Sequence, residues 1–150
     1  KLKLQLGFMQ EFNLDFSFTG YEVIDENNNF INIRKAKKNI NFFQLRKSCN
    51  IGLSTVVLKK KIFDNSDFKF ASLKTQEDYV LWLKLSRNYI KMMGLDQTLT
   101  SWRKSHDSLS SSTYQKIKDG YKVYRNHLAY GTFKSLFCLT ILSINKLFKN

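Results

Sequence analysis

The chain contains no proline, only two cysteines and six glycines among its 150 residues, and its 12 acids are outnumbered by 25 bases. Without proline, turns fall to glycine and asparagine. Cys49 and Cys138 lie far apart with no Cys-x-x-Cys pair, so neither a disulfide framework nor a zinc site is indicated and a reducing cytoplasm is expected. The longest apolar run is bracketed by Lys134 and Lys146 and falls short of the roughly 18 residues that a membrane-spanning helix requires. GxGxxG, GxxxxGKS/T, HExxH and GxSxG are all absent, which argues against dinucleotide oxidoreductases, P-loop enzymes, zincins and serine hydrolases.

What is present suffices for a packed core: 43% of residues are hydrophobic and 15% aromatic, enough for one domain or half of a larger one. The formal net charge of +13 favours an anionic partner. It is unevenly spread. Asn27 to Phe63 holds nine Lys or Arg and no acid, whereas Glu11 to Glu26 holds five acids and no base. The basic block interleaves with Phe42 and Phe43, a pattern compatible with single-stranded nucleic acid. No RNP-like, KH or zinc-finger pattern accompanies it, so a solvated or membrane-facing surface is the stronger reading.

Hydrophobic periodicity predicts a helix over Lys1 to Asn13 and a hairpin of Phe16 to Ile24 with Phe30 to Arg34, joined by the turn cluster Asp25 to Asn29. One or two helical turns follow at Asn41 to Lys47, then a β-branched strand at Ser54 to Ile62. A helix begins at Thr75, read as its N-cap with Asp78 three residues on, and Gly94 is expected to stop it. Gln97 to Lys104 reads as strand, Ser105 to Ser112 as a Ser-rich loop, and the rest as helix with breaks at Gly120 and Gly131. Phe133, Phe137, Thr140, Ile141, Ile144 and Phe148 form one amphipathic stripe there. With Lys122, Arg125, Lys134, Lys146 and Lys149, that tail would either lie on an anionic membrane or pack on the domain.

Two groups of residues carry chemistry. Glu77 and Asp78 open a helix, where unpaired N–H groups and the dipole favour an ionised carboxylate and lower its pKa. A base that deprotonates a hydroxyl needs such a rigid placement, although acids in a first turn more often serve only as cap and dipole partner. Arg103 and His106 form the second group, since Arg clamps phosphate and His ligates metal or meets a pyrophosphate, although a lone His in a Ser-rich loop is more often simply solvated. Ser108, Ser110, Ser111 and Ser112 would donate to phosphate oxygens or cap the helix at Thr113.

Taken in order, KLKLQLGFM at Lys1, FSFTGYEVID at Phe16, STVVLKKKIF at Ser54, QEDYVLWLKL at Gln76 and LDQTLTSWRKSHDSLSS at Leu95 resemble the C-terminal half of bacterial family 2 glycosyltransferases of the GT-A fold. The resemblance spans roughly Lys1 to Asn126, and its weight lies in the order and spacing of five pieces. It implies an α/β fold, a partial Rossmann-like domain with a short mixed sheet flanked by helices. Residues 1–112 would be its acceptor-side half and residues 113–150 a helical, basic, amphipathic tail.

The resemblance also implies transfer of a sugar, with inversion, from a nucleotide-sugar donor to a saccharide or lipid-linked acceptor during surface polysaccharide synthesis, at the inner face of the cell membrane. Asp78 would be the general base and Glu77 would position the acceptor. Ser54 and Thr55 would enter the site on the acceptor side, with Trp82 packing below it. Arg103 would hold the loop or the phosphates, and His106 would reach toward the metal or diphosphate. Trp102 stands where the family has Tyr. The family's Asp-x-Asp pair, which binds Mn or Mg with the donor diphosphate, does not occur in these residues. The chain opens on Lys1 inside a helical pattern, so an N-terminal truncation, a missing donor-side half and no activity in isolation are expected. A non-catalytic remnant or interaction module, or a basic domain for anionic lipid or nucleic acid, is the alternative.

Overall fold

In a computed structural model, residues 1–105 and 112–148 are described. They form a mixed α/β unit, a short mixed sheet with helices against it. Helix α1, Leu2–Glu11, precedes strand β1, Phe16–Ile24, and strand β2, Phe30–Arg34, returns antiparallel to it through the Asp25 turn. That turn is built by Asp25, whose Oδ1 accepts from the Asn27 and Asn29 amides at 2.8 Å each. These contacts hold the Asp25 carboxyl below its usual range, led by the side-chain bond from Asn29. A two-residue strand β3, Asn39–Ile40, leads into helix α2, Phe42–Lys47. Asn41 and Gln44 cap it reciprocally, the capping-box arrangement that satisfies two orphan amides.

The expected strand at Ser54 to Ile62 does not form. Leu53–Thr55 and Lys60–Asp64 are 3₁₀ turns, and only strand β4, Val57–Leu58, pairs, antiparallel to Phe16 and Ser17. The difference coincides with two ion pairs to Asp15. Lys59 and Lys61 both turn back to Asp15, at 2.9 and 2.8 Å, and the chain bends where a strand would continue.

Helix α3, Glu77–Arg87, precedes the long strand β5, Met92–Arg103. Strand β5 lies parallel to β1 and antiparallel to β3, which gives the order β2-β1-β5-β3 with β4 on the start of β1. Gly94 does not stop α3; the helix ends seven residues earlier at Arg87, and exposed Tyr89 makes the turn in the left-handed conformation. Gly94 belongs to β5, where a Cβ would stand 2.5 Å from the Lys37 carbonyl oxygen.

Helix α4, Thr113–Lys122, runs through Gly120 into a π-helical turn at Val123–His127, and helix α5, Thr132–Leu147, starts beyond Gly131. Ser112 caps α4 by accepting from the Gln115 amide. The core joins Phe16, Phe18, Leu45, Val80, Leu81, Trp82, Leu83, Leu85, Met92 and Tyr124 across sheet and helices. Helix α3 is buried at Tyr79 to Leu83 and at Leu85, so it is a central element and its apolar surface is wider than one face.

Helix α5 resolves the two readings of the tail in an unexpected way. It packs on the domain through Ser135, Cys138, Leu139 and Leu142. The stripe of Phe133, Phe137, Thr140, Ile144 and Phe148 faces outward, with the three Phe rings 91%, 67% and 86% exposed; Ile141 alone of that set is half-buried. Among the described residues no helix is long and apolar enough to cross a membrane.

Candidate active site

The N-terminus of α3 is unusual. Gln76 is its N-cap residue, held in the left-handed conformation at φ 64°, and it makes no side-chain cap bond. Thr75 is not the cap: its hydroxyl and amide both donate to Asp119 Oδ2, at 3.0 Å each. Glu77 and Asp78 therefore project from a first turn whose entry is fixed from α4.

Asp78 is half-buried, and its Oδ1 accepts from the Tyr79 amide at 2.7 Å. Burial raises its pKa, the Tyr79 amide opposes the rise, and the neighbouring Glu77 charge adds to it. The expected lowering by the helix N-terminus is thus overturned at Asp78, because loss of water outweighs the local amides. A carboxylate raised toward the working pH is a better proton acceptor than one held far below it.

Below Asp78 the support is rigid. Trp82 is fully buried with Phe16 at 4.9 Å and Phe70 at 6.4 Å between ring centroids, both edge-on. With none of its surface exposed, its side chain is out of reach of a ligand. The Tyr79 hydroxyl lies 3.0 Å from the Leu45 carbonyl oxygen and 3.2 Å from the Tyr124 hydroxyl, which donates to the Arg46 carbonyl at 2.7 Å. The last carbonyls of α2 are thereby satisfied from α3 and the π-helical turn. Burial pushes the Tyr124 phenol up to about 12 and the Tyr79 phenol higher still, so both remain neutral hydrogen-bonding groups.

The Asp78 charge reaches the phenol of Tyr21, a residue that sequence reasoning passed over. Its phenol is raised first by burial and also by the charges of Cys49 and Asp78, while Arg34 opposes. Tyr21 lies against Gly52, where an added Cβ would meet its ring at 3.2 Å. The turn that follows carries Ser54 and Thr55, and the two differ. Ser54 is exposed, whereas Thr55 is fully buried, donates its hydroxyl to the Gly52 carbonyl at 2.7 Å and accepts at its own carbonyl from Gln5. Thr55 builds the turn, and Ser54 is the one of the pair that a ligand can reach.

Arg103 lies at the carboxyl end of β5 beside Ile24 at the end of β1. Its Nη1 donates to the Asp25 and Glu26 carbonyls at 3.2 Å each, which ties it to the hairpin turn. Carboxyl ends of parallel strands are where open α/β sheets take ligands. His106, Ser108, Ser110, Ser111 and Lys149 lie outside the described residues. Among the described residues no cluster of three or more His, Cys, Asp or Glu could hold a metal ion. Glu77 and Asp78 alone do not make a cation site.

No protein-family model and no solved structure matches the chain. Named proteins do. The chain is 32% identical over 119 residues, 79% of its length, to the UDP-Glc:alpha-D-GlcNAc-diphosphoundecaprenol beta-1,3-glucosyltransferase WfgD of Escherichia coli, covering 46% of that protein. It is 26% identical over all 150 residues to WfaP of Escherichia coli, which carries the same enzyme name, covering 58% of it. It is 27% identical over 142 residues, 92% of its length, to TuaG of Bacillus subtilis strain 168, named as a glycosyltransferase for teichuronic acid biosynthesis, covering 54% of it. The chain spans about half the length of these curated relatives. With its mixed sheet, flanking helices and these matches over most of its length, the chain belongs to a glycosyltransferase family.

Proposed function

We propose that these residues form the acceptor-side part of an inverting family 2 glycosyltransferase of the GT-A fold, working in surface polysaccharide synthesis. The observation that carries this reading is Asp78, a half-buried carboxylate with a raised pKa on the most deeply buried helix of the unit. In the proposed reaction Asp78 takes the proton of an acceptor hydroxyl. The freed oxygen attacks the anomeric carbon of a nucleotide-sugar from the face opposite the leaving group, and the nucleoside diphosphate departs. Glu77 positions the acceptor, Ser54 and Tyr21 border it, and Arg103 ties the end of β5 to the hairpin turn. A divalent cation, Mn or Mg, would be held with the donor by residues other than those described here.

The names of WfgD and WfaP point to UDP-glucose as donor and to a diphosphoundecaprenol-linked acceptor, and both classes suit this reading. A radiolabel assay with UDP-glucose and such an acceptor tests it. The chain alone is expected to transfer nothing. A chimera that places residues 1–150 behind the preceding half of WfgD is expected to transfer glucose. Turnover by the chain alone would overturn the donor-side part of the proposal, and a folded but inert chimera would overturn the acceptor-side part.

A lipid-linked acceptor calls for a membrane address, and α5 supplies a candidate surface. Its exposed Phe133, Leu136, Phe137, Ile144, Leu147 and Phe148 are accompanied by Lys134 and Lys146, and Gly120 to Asn150 holds five bases and no acid. An amphipathic helix of this kind lies in the headgroup region of an anionic leaflet. The chain is expected to sediment with phosphatidylglycerol vesicles and not with phosphatidylcholine vesicles. Replacing Phe133 and Phe137 by Ser should weaken that binding about a hundredfold or more, since each ring buried contributes about 1.5–3 kcal/mol. Unchanged sedimentation of the double variant would remove α5 as the contact.

A further inference from the structure

We propose that Asp119 is a positioning residue for the acceptor-side site, a buried carboxylate on α4 that fixes the direction in which Glu77 and Asp78 leave the N-terminus of α3. This rests on the reading of Asp78 as the base, while its test does not depend on that reading.

Asp119 is 1% exposed, in a helix whose other charged side chains sit in water or at its rim. Burying a carboxylate is costly unless it is paired and hydrogen-bonded. Here Oδ2 accepts from the Thr75 amide and hydroxyl, at 3.0 Å each, and from Gln115 Nε2 at 2.8 Å, while Oδ1 accepts no hydrogen bond among the described residues and has only the Lys122 charge nearby, Nζ at 3.8 Å. Burial alone would raise its pKa; the Gln115 and Thr75 donors and the Lys122 charge reverse this and hold it below the ordinary range. The charge is retained, and three donors converge on one oxygen.

Two of those donors belong to the residue three positions before Asp78. The next residue is held from the same helix: Gln76 Nε2 donates to the Lys116 carbonyl at 2.9 Å. Gln76 sits at φ 64°, ψ 20°, a conformation that a non-glycine residue keeps only when its surroundings enforce it. Helix α4 thus grips both residues that precede the Glu77-Asp78 pair. It is itself seated by Gly120, where a Cβ would meet Leu139 of α5 at 2.8 Å. No cap side chain on α3 does this work, since Gln76 makes no cap bond. The first turn of α3 is oriented instead by a residue 44 positions later in the chain.

Amide hydrogen exchange of the full 150-residue chain tests the proposal, with Asp119→Asn and the milder Thr75→Val. Both variants should speed exchange at the Tyr79 and Val80 amides, about tenfold for Asp119→Asn, and shift the Asp78 carboxyl ¹³C resonance, with β1 and β5 amides unchanged. In the WfgD chimera Asp119→Asn should lower kcat about tenfold at unchanged KM, as misdirection of a reacting group does. Uniformly faster exchange across the sheet, or an unmoved Asp78 resonance, would reduce Asp119 to a general stabiliser and overturn the proposal. If Asp119→Asn unfolds the chain, Thr75→Val decides alone, and no local change in it overturns the proposal equally. Failure of Asp78 as base would show separately, as retained transfer by Asp78→Asn with the exchange pattern intact.

Discussion

Asp78→Asn is expected to remove sugar transfer from the WfgD chimera and, at the same time, to make the chain more stable near neutral pH. The loss follows from the proton: an amide cannot accept it, and a positioned general base contributes on the order of 10²–10⁴-fold in rate. The gain follows from burial. Asp78 has a raised pKa in the fold, led by loss of water, so ionising it opposes folding. A carboxyl raised in this way favours the fold most below its unfolded pKa, near 4, and that contribution is lost as pH rises through the folded pKa. Asn carries no charge at any pH and its Oδ1 still accepts from the Tyr79 amide. The Tm of Asp78→Asn should therefore exceed that of the parent at pH 7 and converge with it below about pH 4. Thermal melts at pH 3.5 and 7 check the stability half, and the radiolabel assay checks the other. A variant that transfers normally ends the base assignment; one that is less stable at pH 7 than at pH 3.5, relative to the parent, ends the burial argument.

Trp82→Ala should have the largest effect on the fold itself. The indole is fully buried at the centre of α3, edge-on to Phe16 of β1 and to Phe70 of the preceding loop. Truncating such a ring leaves a cavity and costs about 3–5 kcal/mol. That is a large share of the roughly 5–15 kcal/mol by which a domain is stable. The expected result is a Tm fall of about 10 °C or more, with loss of near-UV circular dichroism at 37 °C. Phe70→Ala should cost far less, because that ring is 46% exposed. A Trp82→Ala chain melting within about 3 °C of the parent would show that α3 is not the central support described.

The features readable from sequence were those governed by near neighbours. Periodicity placed α1 and the β1-β2 hairpin almost to the residue, and Asn41 with Gln44 marks α2 by a local capping rule. Misreadings arose where distant partners decide. Thr55, Val56 and Val57 have strand propensity, yet Asp15 captures Lys59 and Lys61 where the segment bends. Thr75 has the chemistry of a cap, and Asp119 takes its hydroxyl. In the candidate site, the order and spacing of motifs singled out Glu77 and Asp78, while Tyr21 was not legible because its place against Gly52 depends on where β1 lies relative to that turn. The outward stripe on α5 is another case. Its period was legible, but the direction it faces is set by Cys138, Leu139 and Leu142 packing inward.

The parallel pairing of β1 with β5 has a consequence for how the chain is made. Phe16 to Ile24 can meet β2 as soon as a tight turn closes, but its other edge waits for residues 92–103. Closing so long a loop is slow, and sheets that depend on such pairings form late. During synthesis at the ribosome, the hairpin therefore emerges with Phe16 and Phe18 uncovered and one strand edge open until α3 and β5 have followed. That interval, and not the finished fold, is where this chain is expected to be most exposed to misassembly.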